Sequence, residues 1–275
     1  MKKIILSLLC AVSLPVIAQE KIEMLFDSPD ARDRHIDMTD LTVDPGMTVY
    51  RPAHPNGVAV IMCPGGGYSH QAAQHEGHDM AQWMNAQGIT YVVLKYRIPK
   101  GRYELPLQDA EQAVRLVRSH ADEWGVDPSK IGIMGASAGG HLATTLATHY
   151  TDSLSRPDFQ ILFYPVVTMD EFYTHMGSRI NLLGKNATPE QIAEYSNELH
   201  VNARTPRAFI MLSSDDRAVP AANSINYYMA LVNNGVPASL HTYPVGGHGW
   251  GFRDSFPYKR QWTGELEKWI REEIL

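Results

Sequence analysis

Cysteine is almost missing from this chain of 275 residues, which holds only two, Cys10 and Cys63. A dense disulfide scaffold is therefore excluded, and the fold must rest on an apolar core, which a chain of this length can bury. Strong charge of one sign is missing as well. The formal net charge is -6, with acidic and basic residues mixed along the chain and no basic stripe to hold phosphates, so nucleic acid is not an expected partner. Repeats, low-complexity tracts and a Pro/Gly/Ser-rich linker are also lacking, and one globular unit over 19–275 is the economical reading. No apolar run reaches the roughly 20 residues that a membrane-spanning helix needs.

The longest apolar stretch lies at the start. Met1-Lys-Lys is followed by an apolar run, interrupted by Ser13 and Pro15, and ends on Ala18 before the polar Gln19-Glu20. This is the pattern of a secretory signal peptide over 1–18, and it places the mature chain in the periplasm or outside the cell. Cys10 is a poor lipidation site because the bulky Leu9 precedes it. Once the leader is removed, Cys63 is the only thiol.

Short β-branched runs recur at Val58–Met62, Ile89–Leu94, Ile131–Met134, Phe159–Tyr164, Ala208–Leu212 and Ser239–Tyr243. Their apolar residues are continuous rather than alternating, as in parallel strands buried on both faces. Helical spacing separates them. Leu107, Ala110, Ala113, Val114 and Val117 form one stripe, and Ile225, Tyr228, Met229 and Val232 form another before Asn234-Gly235. Thr188-Pro-Glu-Gln191 has the form of a capping box. The alternation predicts an α/β fold with a mostly parallel central sheet flanked by helices. The more alternating segment from Leu41 to Tyr50 predicts an antiparallel edge strand.

Three segments carry chemistry. Gly135-Ala-Ser137-Ala-Gly139 stands between a predicted strand and a predicted helix, the context of a nucleophile elbow. Pro64-Gly-Gly-Gly-Tyr68 directly follows another strand, and its glycine amides suit an oxyanion hole made by Gly66 and Gly67 with Ala138. The acid and base should follow the serine on later strand ends. Asp216 is preferred to Asp215 because it stands one turn before a helix opened by Pro220, and His248 is preferred to His241, which lies inside a strand. Tyr68, Trp250 and Phe252 flank these loops and either line the substrate side or pack in the core. His70, His75 and His78 have the look of a metal cluster but lack the zinc-protease spacing; a solvated helix start accounts for them. His141 reads as structural, bonded to backbone, and Arg179 as a surface salt bridge. No metal or cofactor is needed. Pro165–Pro206 occupies the place of a lid but lacks a long apolar amphipathic stretch, so the lid is minimal and the substrate a short-acyl, water-soluble ester.

The blocks Cys63-Pro-Gly-Gly-Gly-Tyr-Ser-His70, Asp127 to Ala143, Asp216-Arg-Ala-Val-Pro220 and Gly247-His-Gly-Trp-Gly251 together resemble the bacterial α/β-hydrolases of the acetylxylan esterase or xylanase-associated esterase type. Pro64 departs from the histidine that opens the glycine run in related hydrolases, which should matter little because the amides are the donors. The resemblance implies the α/β-hydrolase fold and a serine carbohydrate esterase that removes acetyl groups from xylan-like fragments. The alternatives are a feruloyl esterase, a prolyl-oligopeptidase-like peptidase or, outside enzymes, an inactive carbohydrate-binding relative. The polysaccharide and the oligomeric state are not legible.

Overall fold

The computed structural model describes residues 20–25 and 45–275; the leader expected at 1–18 lies outside them. Among the described residues eight strands form one sheet in the order β1-β2-β4-β3-β5-β6-β7-β8. They are β1 (Glu20–Leu25), β2 (Gly46–Arg51), β3 (Gly57–Cys63), β4 (Thr90–Lys95), β5 (Val126–Ala136), β6 (Phe159–Phe163), β7 (Arg207–Ser213) and β8 (Ala238–Tyr243). β1 and β2 pair antiparallel, as do β2 and β4, while every pair from β4 through β8 is parallel. The antiparallel strand expected within Leu41–Tyr50 is β2, but β1 pairs outside it, so β2 is not the edge.

The helices are α1 (Ala81–Ala86), α2 (Glu104–Ser119), α3 (Ala121–Trp124), α4 (Ala138–His149), α5 (Met176–Leu183), α6 (Pro189–Glu194), α7 (Ala222–Asn233) and α8 (Lys259–Glu273). The capping box at Thr188 opens α6, with the threonine side chain and that of Gln191 each bonded to the other's backbone amide. Strand β3 shows why its run is continuous. Ala59, Ile61 and Cys63 enter the core under α2, α4 and α7, whereas Val58, Val60 and Met62 enter the opposite core with Met84 of α1 and Trp262, Leu266 and Trp269 of α8. Both faces are thus covered, and a polar residue on either face would lose its water.

The crossovers change direction next to β3, which lies between β4 and β5. In an open α/β sheet the carboxyl ends of the strands beside such a switch make a crevice. Gly65 follows β3 and Ser137 follows β5 there, and the Cys63–Gly135 register sets the two loops side by side.

Candidate active site

Ser137 joins β5 to α4 with φ +53° and ψ -119°, a left-handed backbone that a non-glycine residue rarely adopts. The flanking glycines are what permit this turn. A Cβ at Gly135 would lie 2.1 Å from the carbonyl oxygen of Gly139, and one at Gly139 would lie 2.0 Å from that of Cys63. The strand, the helix and the neighbouring loop therefore approach at backbone distance, and the serine hydroxyl projects above the sheet edge.

Two later strand ends bring up the other groups. His248, in the loop after β8, has Nε2 2.7 Å from Ser137 Oγ and Nδ1 2.7 Å from Asp216 Oδ2. Asp216 follows β7, and its other oxygen, Oδ1, accepts from the amides of Ala218 and Val219, each at 2.9 Å. With both carboxylate oxygens occupied and the side chain 1% exposed, the aspartate has little freedom to turn. His248 Nδ1–H then donates to the carboxylate, and Nε2 presents its lone pair to the serine hydroxyl. Asp215 points elsewhere, accepting from the amide of Gly247 at 2.7 Å, and that bond lowers its pKa.

The glycine loop borders the same point. Gly66 and Gly67 both have positive φ, and neither amide donates to an acceptor among the described residues. The Gly66 carbonyl instead turns back to accept from the amides of Ser69 and His70, and the Gly67 carbonyl accepts from Asn181 Nδ2 at 2.8 Å. The amide of Ala138, in the first turn of α4, has no intrahelical acceptor and carries the positive end of the helix dipole. Gly66, Gly67 and Ser137 border a cleft of about 460 Å³ whose walls include His70, His175, Asn181 and Arg253, with Ala138 directly behind the serine.

Tyr68 and Trp250 do not line that cleft, so the expectation that they contact substrate is corrected. Tyr68 turns inward and is 1% exposed, and its hydroxyl donates to His141 Nδ1 at 2.9 Å. Trp250 stacks flat on Phe256, with ring centroids 4.1 Å apart, and donates to Ser213 Oγ. Phe252 packs against Trp83 and Trp262. His141 is fully buried, its Nε2–H donating to the Tyr195 carbonyl at 2.8 Å, and burial brings its pKa down to about 4. His241 pairs with Glu265 and stacks on Phe209. Arg179 donates to the Met169 carbonyl rather than to a carboxylate. The three histidines after the glycine loop diverge: His70 and His75 border the cleft, whereas His78 meets the Tyr50 hydroxyl.

Sequence reasoning missed three residues. Glu76, read as part of a solvated helix start, is 3% exposed. Its Oε2 accepts from the Gly65 amide at 2.9 Å and its Oε1 from the Tyr164 hydroxyl at 2.8 Å. That hydroxyl in turn accepts from the Gly251 amide, and the Tyr164 ring lies edge-on to His248 at 4.8 Å. One carboxylate thus ties the glycine loop to the histidine loop. His175 caps α5, its Nδ1 accepting from the Ser178 amide, so its ring proton sits on Nε2. Burial, then the nearby His248, lowers the His175 pKa and keeps it neutral. Asn181 holds Gly67. His175 and Asn181 come from the Pro165–Pro206 segment, which therefore builds one wall of the cleft.

Comparison with known proteins agrees with this architecture. The α/β-hydrolase fold family matches residues 60–252. An acetylxylan esterase of Xylanibacter ruminicola is 44% identical over 229 residues, 82% of this chain but 48% of that protein. An endo-1,4-β-xylanase B of Butyrivibrio fibrisolvens is 36% identical over 69% of this chain and 32% of its own length. The chain thus spans half or less of these two relatives. The crystal structure of an acetyl ester-xyloside bifunctional hydrolase from Caldicellulosiruptor lactoaceticus superposes with a TM-score of 0.78 at 38% identity, covering 83% of this chain and 88% of that one. The sheet order, the elbow and these matches lead to one conclusion: the chain belongs to the α/β-hydrolase fold family.

Proposed function

We propose that this protein is an exported serine esterase that removes acetyl groups from xylan-like polysaccharide fragments. The observation that carries the reading is the unbroken line from Asp216 through His248 to Ser137, ending in a cleft beside free glycine amides. In the first step His248 Nε2 takes the Ser137 proton as Oγ attacks the ester carbonyl, while Asp216 stabilises the imidazolium. The amides of Gly66, Gly67 and Ala138 receive the developing oxyanion. His248 then gives that proton to the departing alkoxy oxygen of the sugar, which leaves as a hydroxyl, and water, activated by the same base, releases acetate from the acyl-enzyme.

The sugar part of the reading draws on relatives named for acetylated xylan and on a cleft wall rich in hydrogen-bonding groups: Ser69, His70, His175 and Asn181. Export draws on the leader pattern of residues 1–18. The decisive assay measures acetate released from a panel of acetylated glycans, with feruloyl and prolyl-amide substrates alongside, for wild type and Ser137→Ala. Acetate release that falls by about 10⁴-fold in the variant is expected. Undiminished release by Ser137→Ala, or faster cleavage of the feruloyl or prolyl substrate, refutes the reading.

A further inference from the structure

The end of α4 remote from Ser137 carries a second set of donors. His149 in the last turn of α4, Glu194 at the end of α6 and His200 six residues further on each offer one ligand atom, and these atoms lie within 4.8 Å of one another. α4 is about 18 Å long at 1.5 Å per residue, so this cluster is well apart from the cleft.

The protons on the two imidazoles can be placed. Thr148 Oγ1 donates to the Thr144 carbonyl at 2.8 Å, so toward His149 Nδ1, also at 2.8 Å, it acts as acceptor. Nδ1 therefore carries the ring proton and Nε2 the lone pair. That Nε2 is buried, has no hydrogen-bond partner among the described residues, and faces Glu194 Oε1 at 3.7 Å, too far for a hydrogen bond. His200 Nε2 lies 2.9 Å from the Ala193 carbonyl, which only accepts, so its lone pair is on Nδ1. His149 Nε2 and Glu194 Oε1 thus face one another with lone pairs and no proton between them, beside the His200 ring. Each ring has its N–H fixed by an outer acceptor, the arrangement that orients metal-bound histidines.

We propose that His149, Glu194 and His200 bind a Zn²⁺ ion. Two imidazoles and one carboxylate suit a borderline divalent metal and disfavour Ca²⁺ and Mg²⁺, and water would complete a tetrahedron. Bonds of about 2.0–2.1 Å set tetrahedral ligand atoms about 3.3–3.4 Å apart, so separations of up to 4.8 Å must close by up to about 1.5 Å. The Glu194 side chain, 60% exposed, is free to make that movement. The ion would fasten the 189–200 segment to the nucleophile helix. That segment already supplies Tyr195, whose ring lies parallel to His149 and whose carbonyl holds His141, and Asn197, which donates to Thr144 Oγ1. The role is structural, and the ester chemistry at Ser137 does not depend on it.

The test uses tag-free protein dialysed against a chelator, then titrated with Zn²⁺ in competition with a chromophoric chelator, and separately with Co²⁺ followed by its d–d absorption. One ion per chain is expected, with a zinc-dependent rise in melting temperature. His149→Gln and His200→Gln should each weaken zinc binding at least about tenfold and abolish the rise, while circular dichroism and turnover of a small ester stay at wild-type values. Absence of saturable binding overturns the proposal. So does zinc binding that survives both substitutions, which would place the ion elsewhere.

Discussion

Asp216→Asn is the substitution whose effect the structure determines most closely. Asp216 Oδ1 receives two backbone amides and Oδ2 receives His248 Nδ1–H. Asparagine has one oxygen and one NH₂ for these two places. Its oxygen must stay with the amides of Ala218 and Val219, because the opposite flip would set NH₂ against two N–H donors. The NH₂ then faces His248 Nδ1, which has to offer a lone pair, and the ring proton moves to Nε2. From there it points at Ser137 Oγ, and the base can no longer take the serine proton. Inversion of this tautomer costs about 10⁴-fold in kcat in serine hydrolases, roughly 5 kcal/mol of transition-state stabilisation. Asp215→Asn keeps an oxygen for the Gly247 amide and should change turnover by less than about tenfold. The assay is kcat/KM on p-nitrophenyl acetate for both variants, with thermal melts to show that each is folded. If folded Asp216→Asn keeps a tenth of wild-type turnover, or the two variants fall equally, the relay described here does not operate.

Glu76→Gln leaves a single acceptor oxygen for the Gly65 amide and the Tyr164 hydroxyl, so stability should drop by about 1–3 kcal/mol in urea unfolding and kcat should fall more than KM rises; unchanged stability and kcat would mean that the carboxylate ties nothing together. His141 is held neutral in the fold with a pKa near 4, below its unfolded value near 6.5. The unfolded state therefore binds the extra proton first, and the contribution of this histidine, complete above pH 6.5, is lost as pH falls toward 4, by roughly 3 kcal/mol. Unfolding free energies at pH 7 and pH 4.5 should differ more in wild type than in His141→Gln, and equal differences refute the assignment. For acyl length, a methylene gains up to about 0.8 kcal/mol only where an apolar slot receives it, and the cleft wall offers His70, His175 and Asn181 instead. Efficiency on p-nitrophenyl esters should fall from acetate to octanoate; octanoate matching acetate would reveal an apolar channel.

What the sequence made legible was local. A buried parallel strand is continuous in its own residues, as β3 shows by sending alternate side chains into two cores, and the elbow is written within five residues because its clashes are among Gly135, Ser137 and Gly139 and a neighbouring loop. The order serine, aspartate, histidine follows from strands that come in sequence at one edge. β1 was not legible, since a six-residue edge strand has little pattern of its own and is defined by pairing with β2.

Nearness in sequence failed where side-chain direction decides. Tyr68 adjoins the oxyanion glycines, yet its φ of +59° turns the ring away from the cleft and into the core beside Tyr96 and His141. Glu76 erred the other way: between two histidines and next to glycine it has the local character of a solvated acid, and nothing in that stretch indicates Tyr164, 88 residues later. A buried carboxylate is costly unless its oxygens are satisfied. Here the two donors, the Gly65 amide and the Tyr164 hydroxyl, come from the segments after β3 and β6, and Tyr164 in turn holds the Gly251 amide of the histidine loop, so the cost of burying Glu76 falls whenever these segments close on it together. That coupling makes the carboxylate a gauge of whether the glycine loop and the histidine loop are both in place, and it explains why an acid with no part in proton transfer sits so near the triad.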